Sequence, residues 1–238
     1  MAAQAAIFVS MKKETIITVA CILFVGAFAY FGLPMFIPRM ENPSQQPFWE
    51  TSLSESKDMQ AFGLTLNQST LQDAIDTFGN RVSLTLYETE SGDQVEGYFR
   101  ETQVGPFLGR MAFTLVNNPD DMQTAKEKSI AEQAPMSGNK SYKLASNLNE
   151  LFLDEPVFSL AFIPTHVVLT ADDVKGRFGE PDQIIEEMIE GKKTGTVHYL
   201  YPNKGIDVTL DKEKRSIIQY ISPKYFGEKI ISPITIEN

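Results

Sequence analysis

The two histidines are the residues of this sequence best suited to acid–base or metal chemistry, and neither has a partner at a useful spacing. His198 lies inside a β-rich stretch, and His166 follows Pro164 at the end of another. No second histidine stands two or four residues away, whereas a zinc site needs several ligands close together. The only cysteine, Cys21, excludes a disulfide framework and a thiolate zinc cluster. The sequence therefore predicts no metal site.

Adjacent carboxylates are the next candidates for chemistry. They form the pairs Asp120-Asp121, Asp154-Glu155, Asp172-Asp173 and Glu186-Glu187. Neighbouring residues do not face each other on a helix, so such a pair is not a catalytic dyad. The sequence also lacks the nucleophile-elbow, zinc-protease, P-loop and dinucleotide-binding motifs. We therefore predict no catalytic residue and no cofactor, and we expect that the protein is not an enzyme.

Aromatic residues are dense near the C-terminal end and allow two interpretations. Tyr199 and Tyr201 share one face of a predicted strand, and Tyr220 lies in a later one. These tyrosines either fill a core or form an exposed face that binds a protein, because tyrosine is enriched in interfaces. Trp49, the only tryptophan, follows Phe48 in a polar stretch and is either a packing residue or an anchor for a partner. Tyr199, Tyr201, Tyr220 and Trp49 are therefore the candidate protein-binding residues.

The charge balance excludes one class of partner. The whole chain has a net charge of −10, and residues 40–238 carry 18 basic against 30 acidic residues. Binding to phosphate backbones depends on clustered positive charge. We therefore predict no nucleic-acid partner.

An uncharged N-terminal run predicts a membrane anchor. Residues 15–38 contain no charge, and about 20 apolar residues suffice for a helix to cross a bilayer. Lys12 and Lys13 precede the run and Arg39 follows it, which favours a cytoplasmic N-terminus. We expect the helix to span Thr15–Phe36, in a single-pass protein of the bacterial inner membrane with its C-terminal domain in the periplasm.

Two alternatives to this anchor stay open, and so does the position of the natural start. A signal peptidase could cleave after Ala29, because Ala27 and Ala29 satisfy the small-x-small rule. Lipidation at Cys21 is a further alternative, although the preceding residues lack the usual leucine. The natural start could also be Met11 instead of Met1, because the basic cap Lys12-Lys13 follows Met11 directly.

Two ten-residue stretches resemble each other and predict a duplication. Residues 70–79 align without a gap on residues 170–179, with Thr, Asp, Phe and Gly coinciding. In each copy the threonine can cap a helix, the aspartate suits its first turn, and the glycine suits its end. Stretches with the alternation of antiparallel strands follow both copies. We therefore expect Phe78 and Phe178 to be buried, and Gly79 and Gly179 to have positive φ.

The resulting prediction is an α+β fold, with an N-terminal transmembrane helix followed by two tandem units, each a helix packed on an antiparallel sheet. The expected segments are a cytoplasmic stub and anchor (1–38), a linker (39–60), a first unit (61–118), a helical connector (119–150), a second unit (151–227) and a tail (228–238).

In the second unit Thr170, Val174, Gly179 and Pro181 precede the predicted strands 197–201 and 206–210. This pattern resembles the signature of the BamE-like (SmpA/OmlA) family of small outer-membrane-assembly lipoproteins, with Phe178 where that family has leucine. Val168 stands where that family has glycine, and the lipid-bearing cysteine is missing. Two such units in tandem also resemble the β-lactamase-inhibitor protein architecture. The resemblance implies this fold and an envelope location.

Together these features predict a non-catalytic, membrane-anchored envelope protein that binds or positions another envelope protein on the periplasmic side. The alternative is an envelope enzyme or a small-ligand-binding protein with a site between the two units. An open surface with apolar patches favours the first function, and a deep polar pocket with converging charges favours the second.

Overall fold

The computed structural model describes residues 47–89, 92–116, 118–129, 131–133, 140–189, 191–211 and 216–236. These described residues belong to one compact unit. The strands are β1 (Thr51–Leu53), β2 (Met59–Ala61), β3 (Leu64–Thr65), β4 (Val82–Thr89), β5 (Gly92–Val104), β6 (Phe107–Leu115), β7 (Ala131–Gln133), β8 (Lys140–Lys143), β9 (Val157–Pro164), β10 (Gln183–Ile189), β11 (Lys192–Tyr201), β12 (Ile206–Asp211) and β13 (Ile217–Ile221).

Helices are short and lie between the strands. They are α1 (Leu71–Phe78), α2 (Pro119–Glu127), α3 (Ala171–Phe178), α4 (Pro223–Phe226) and α5 (Ser232–Ile236), with 3₁₀ turns at Ser146–Phe152 and Pro202–Lys204 and a π turn at Gly227–Ile231. We call residues 223–236, which include α4, the π turn and α5, the C-terminal segment.

One antiparallel sheet of ten strands organises the described residues, in the order β10-β11-β12-β13-β9-β6-β5-β4-β8-β7. The meander β4-β5-β6-β9 meets the meander β10-β11-β12-β13 where β9 pairs with β13. In that pairing Tyr220 stands opposite Leu160, and Ile218 opposite Phe162. The two meanders therefore share no free edge where they meet, and the edge strands of the combined sheet are β10 and β7.

The predicted α+β fold of two tandem units is therefore wrong. The structure is mostly β, and two tandem helix-plus-sheet units do not form, because the β9–β13 pairing merges both meanders into one sheet. Their apolar side chains also share one core cluster, from Leu84 and Phe99 in the first meander to Tyr201 and Val208 in the second. The short helices cover this shared sheet.

Helices α1 and α3 have the caps that the sequence predicts. Thr70 and Thr170 each accept a hydrogen bond from the backbone of the aspartate three residues on, and each aspartate bonds back to the threonine backbone. Gly79 and Gly179 end the helices with φ of 102° and 88°, confirming the expected positive φ. Phe178 is 3% exposed as expected, whereas Phe78 is only partly buried.

The sheet face that carries these helices is the helix face. Leu71 and Ala74 of α1, and Val174 and Phe178 of α3, pack on it. The opposite side of the sheet is the reverse face. There the C-terminal segment covers the second meander, with Phe226 and Ile230 packed in one cluster with Leu200 and Ile221. No described helix covers the first meander on the reverse face.

The described part of the predicted linker, residues 47–60, is instead attached to the core at both ends of the segment. Phe48 and Met59 are completely buried, and β1, β2 and β3 form a small antiparallel sheet. The Phe48 ring lies 5.6 Å from that of Phe162 on β9 and 6.2 Å from that of Phe178 on α3. Polar residues surround these apolar ones in the sequence, and this made the segment resemble a tether.

The predicted membrane location also needs correction. Within the part of the chain that the structure describes, no helix is both long and apolar enough to cross a bilayer. The predicted anchor Thr15–Phe36, with its alternative cleavage and lipidation sites, lies outside the described residues. The single-pass inner-membrane and periplasmic assignments take no part in the function proposed below.

Candidate functional site

A groove of about 600 Å³ crosses the middle of the reverse face. Its floor consists of small side chains on the two central strands β6 and β9. Ala112 pairs with Ala161, and the Thr114 hydroxyl lies 2.7 Å from the Ser159 hydroxyl. Because none of these side chains is large, the strands leave a depression between taller neighbours.

Two walls border this floor. On one side the C-terminal segment contributes Tyr225, Lys229 and Ile230. The ring of Tyr225 lies 5.0 Å from that of Phe158, which fixes that wall against β9. On the other side β5 contributes Gln94 and Glu96. The groove thus has an aromatic and aliphatic wall and a polar wall.

The two walls of the groove carry opposite charges, with Glu96 on one wall and Lys229 on the other. Glu96 accepts a 3.2 Å hydrogen bond from Gln94, and the surrounding protein raises the pKa of its carboxyl by desolvation. Lys229 lies 2.9 Å from its neighbour Glu228, an exposed pair that contributes little. No described cation forms an ion pair with Glu96. A bound ligand can therefore meet a carboxylate on β5 and an ammonium on the C-terminal segment.

Sequence reasoning missed this groove, although one signal was present. In the middle of β6 and β9 the residues of one face are large and apolar, as in Phe113 and Leu160, while those of the other face are small, as in Ala112 and Ala161. A strand with this asymmetry packs a core on one face only. The sequence does not show that β6 pairs with β9, and only this pairing brings the small residues of the two strands side by side as a common floor.

The three candidate tyrosines are core residues. Tyr201 and Tyr220 are 1% and 0% exposed, and Tyr199 is 8% exposed. The Tyr201 hydroxyl donates to the Gly179 carbonyl at 2.9 Å, and burial raises its pKa to about 12. The Tyr220 hydroxyl donates to the Phe48 carbonyl. The exposed tyrosine face is therefore wrong, because all three rings complete the core instead.

Trp49, the fourth candidate, is partly buried beside two connected pockets. The guanidinium carbon of Arg177 on α3 lies 4.4 Å from the Trp49 ring centre, and the Trp49 and Phe107 rings are 5.5 Å apart. A pocket of about 750 Å³ and a smaller one of about 220 Å³ both border Trp49 and Arg177. A partner anchor at Trp49 stays a prediction.

The two histidines have separate surroundings. His198 Nδ1 lies 2.9 Å from Asp207 Oδ2 on β12, and Thr209 lies 3.3 Å from the same nitrogen. Burial opposes the charged imidazole, but the bond to Asp207 outweighs it and raises the pKa of His198. His166 lies in a loop after β9. No group of three or more His, Cys, Asp or Glu side chains in the described ranges is placed to hold a metal ion.

Comparison with known proteins identifies no relative of this chain. No protein-family model matches the chain, and no curated protein and no solved structure matches it either. The resemblance to the BamE-like family stays untested, and nothing in these comparisons supports an envelope role or a tandem repeat. The groove and the pockets are therefore the features of the molecule that can indicate its function.

Proposed function

We propose that this chain is a non-catalytic binding protein that holds an extended segment of another protein in the groove of the reverse face. The observation that carries the proposal is the small-residue floor between two walls of different character. A groove of about 600 Å³ lies within the range of ligand-binding clefts.

The floor explains why an extended segment suits the groove. Ala112 and Ala161 leave room for side chains that project from a partner strand or loop, while Tyr225 and Ile230 offer apolar contact along one wall. Thr114 and Gln219 can bond to the polar groups of the segment's backbone. Apolar contact with a few polar groups is the usual composition of a peptide-binding site.

The charges specify the chemistry of the partner. Residues 40–238 carry a net charge of −12, which attracts basic partners over distance. Within the groove Glu96 is the carboxylate without an ion-pair partner among the described residues, and desolvation raises its pKa. An arginine or lysine of the segment can form an ion pair with this carboxylate, as charge complementarity favours. We therefore expect a partner segment with apolar residues next to a basic one.

Selection from a displayed library of random peptides tests the proposal on the full chain. Peptides that bind should share a basic residue flanked by apolar or aromatic ones. Ala161→Phe fills the floor and should weaken their binding at least about tenfold, because the added ring occupies the groove. Glu96→Gln should weaken it about two- to fivefold, the size of a partly exposed ion pair.

Ser83→Phe is the matched control, because Ser83 lies exposed on the same face of the sheet, pairs with Tyr98 and does not border the groove. It should leave peptide binding unchanged. The proposal fails if no peptide is enriched over the unselected library, or if the enriched peptides bind Ala161→Phe as tightly as the unsubstituted protein. Circular dichroism and thermal unfolding of each variant establish that a loss of binding does not result from unfolding.

A further inference from the structure

The smaller pocket beside Trp49 is lined by cationic, neutral polar and apolar side chains. Its volume is about 220 Å³, and its polar members are Thr51, Ser52, Arg177, Asn203 and Lys204. No aspartate or glutamate borders it among the described residues. Two cations without a carboxylate are an unusual combination in a chain with a net charge of −10.

Arg177 presents a guanidinium that is held in place but poorly paired. The Trp49 ring lies 4.4 Å below it, and Phe107 lies 5.9 Å away. Asp173 is 3.9 Å from Arg177 Nη2, beyond hydrogen-bond distance, and its other oxygen accepts bonds from Thr170. The aromatic rings thus fix the plane of the guanidinium while its outer nitrogens remain available to oxygen acceptors.

Lys204 adds a second cation to the same pocket. Its ammonium group donates to the Phe178 carbonyl at the end of α3 and lies 5.4 Å from the Tyr201 ring centre. The turn at Pro202–Lys204 also brings Asn203 to the pocket. One hydrogen bond uses only one of the three donors of an ammonium group, so Lys204 retains donors for a ligand.

The adjoining larger pocket limits the charge and size of a ligand. It shares Trp49, Thr51, Ser52 and Arg177 with the smaller one, and its volume is about 750 Å³. Glu50 is the only acid among its lining residues in the described part of the chain. A carboxylate there disfavours a dianion such as phosphate, whereas a single carboxylate meets less repulsion.

We propose that this pair of pockets binds a carboxylate group, supplied by a small organic acid or by the C-terminus of a polypeptide. The planar carboxylate lies in the smaller pocket against Arg177 and Lys204, and the rest of the ligand extends into the larger pocket. This site lies on the other side of the sheet from the groove, and the proposal is independent of the proposed function.

Trp49 provides a direct probe, because it is the only tryptophan of the chain. Titration of the full chain with sodium benzoate, and with a short peptide bearing a free C-terminus, should change its fluorescence in a saturable way. Sodium chloride at the same ionic strength should not. The same peptide with an amidated C-terminus distinguishes the two sources, because binding of benzoate alone identifies an organic-acid site. Loss of peptide binding on amidation identifies a C-terminal site.

Arg177→Gln and Lys204→Gln should each raise the dissociation constant about tenfold or more, since hydrogen bonds to charged groups are worth about 1.5–3 kcal/mol. Lys175→Gln is the matched control on α3, because Lys175 pairs with Glu180 and does not border either pocket. The proposal is overturned if neither carboxylate ligand gives a saturable change. It is also overturned if inorganic phosphate binds more tightly than both, or if folded Lys204→Gln binds like the unsubstituted protein.

Discussion

The two meanders of the sheet begin with the same local pattern and differ on their reverse faces. Each follows a capping-box helix that ends in Phe-Gly, and each packs apolar side chains on the helix face. On the reverse face the second meander is covered by the C-terminal segment, which buries Leu200 and Ile221. The first meander has no such cover among the described residues, and Glu96 and Arg100 there are exposed.

This difference explains why the groove lies where it does. Strands β11 and β13 of the second meander carry Leu200 and Ile221 on the reverse face, and the C-terminal segment buries them. The middle of strands β6 and β9 carries only small side chains on that face, at Ala112, Thr114, Ser159 and Ala161. The groove forms at the border between covered and uncovered sheet, where the C-terminal segment itself supplies one wall.

The largest expected effects compare the equivalent phenylalanines of the two capping-box helices. Phe178→Ala should lower the free energy of unfolding by about 3–5 kcal/mol, because the ring is buried against Phe48 and Tyr201. Phe78→Ala should cost less, because its ring is only partly buried. Denaturant unfolding measures both. An equal or larger cost for Phe78→Ala would contradict the observed burial.

The next comparison contrasts the covered and uncovered parts of the reverse face. Phe226→Ala removes a side chain that is 1% exposed and should lower the free energy of unfolding by about 3 kcal/mol. Tyr98→Ala, on the reverse face of β5, should cost less than about 1.5 kcal/mol, because Tyr98 is only partly buried. Thermal and denaturant unfolding should both show the larger loss of stability in Phe226→Ala. Similar costs for both variants would show that the first meander is covered too.

A third prediction concerns the attachment of the C-terminal segment. The Asp58 carboxylate accepts a 3.1 Å hydrogen bond from Ser222 and lies 2.9 Å from the Lys224 ammonium. Asp58→Asn should lower the free energy of unfolding by about 1–3 kcal/mol, the range for a charged hydrogen bond. It should also weaken peptide binding in the groove, because this segment forms one wall.

The pH dependence of Asp58 gives an independent check of that attachment. Burial alone would raise its pKa, but the bonds from Lys224 and its other donors lower it to about 2 from an ordinary value of 3.8. A depressed pKa in the folded state stabilises the protein above the unfolded value. This stabilisation should disappear as the pH falls from about 3.8 to 2, and Asp58→Asn should lack that part of the unfolding profile.

The smallest expected effect concerns the buried His198–Asp207 pair in the second meander. The bond to Asp207 raises the pKa of His198 in the folded state above its ordinary value of 6.5, against the opposing effect of burial. Its contribution to stability is therefore complete below pH 6.5 and is lost as the pH rises through the raised pKa. Unfolding measured from pH 6 to 9 should show this decline, and His198→Gln should flatten it. If the free energy of unfolding of the variant declines with pH as steeply as that of the unsubstituted protein, His198 is not the cause of the decline.

The helix caps and most strands could be predicted from the sequence because they depend on local patterns. The Thr–Asp–Gly spacing of α1 and α3 specifies a capping box and a left-handed end without any tertiary contact. The merged sheet could not be predicted in this way, because the β9–β13 pairing joins residues about sixty positions apart. The burial of Tyr220 follows from that pairing and from Phe48, which local composition assigned to a linker.

The candidate sites depend even more on such long-range contacts. Only the β6–β9 pairing brings Ala112 next to Ala161 and forms the floor of the groove. Trp49 was singled out because it is the sole tryptophan, but its stacking partner Arg177 lies far away in the sequence. Arg177 lies within the ten-residue stretch that predicted helix α3. That stretch places Arg177 on a helix but does not indicate what its guanidinium group contacts.

Photo-crosslinking tests the central claim most directly. A peptide selected on the full chain and carrying a benzophenone side chain is irradiated in the complex, and mass spectrometry locates the modified residues. The account predicts modification on both sides of the groove, at Ala112 or Ser159 on the floor and at Tyr225 or Lys229 on the wall. Modification confined to the edge strands β7 and β10, or to the surroundings of Trp49, would contradict it.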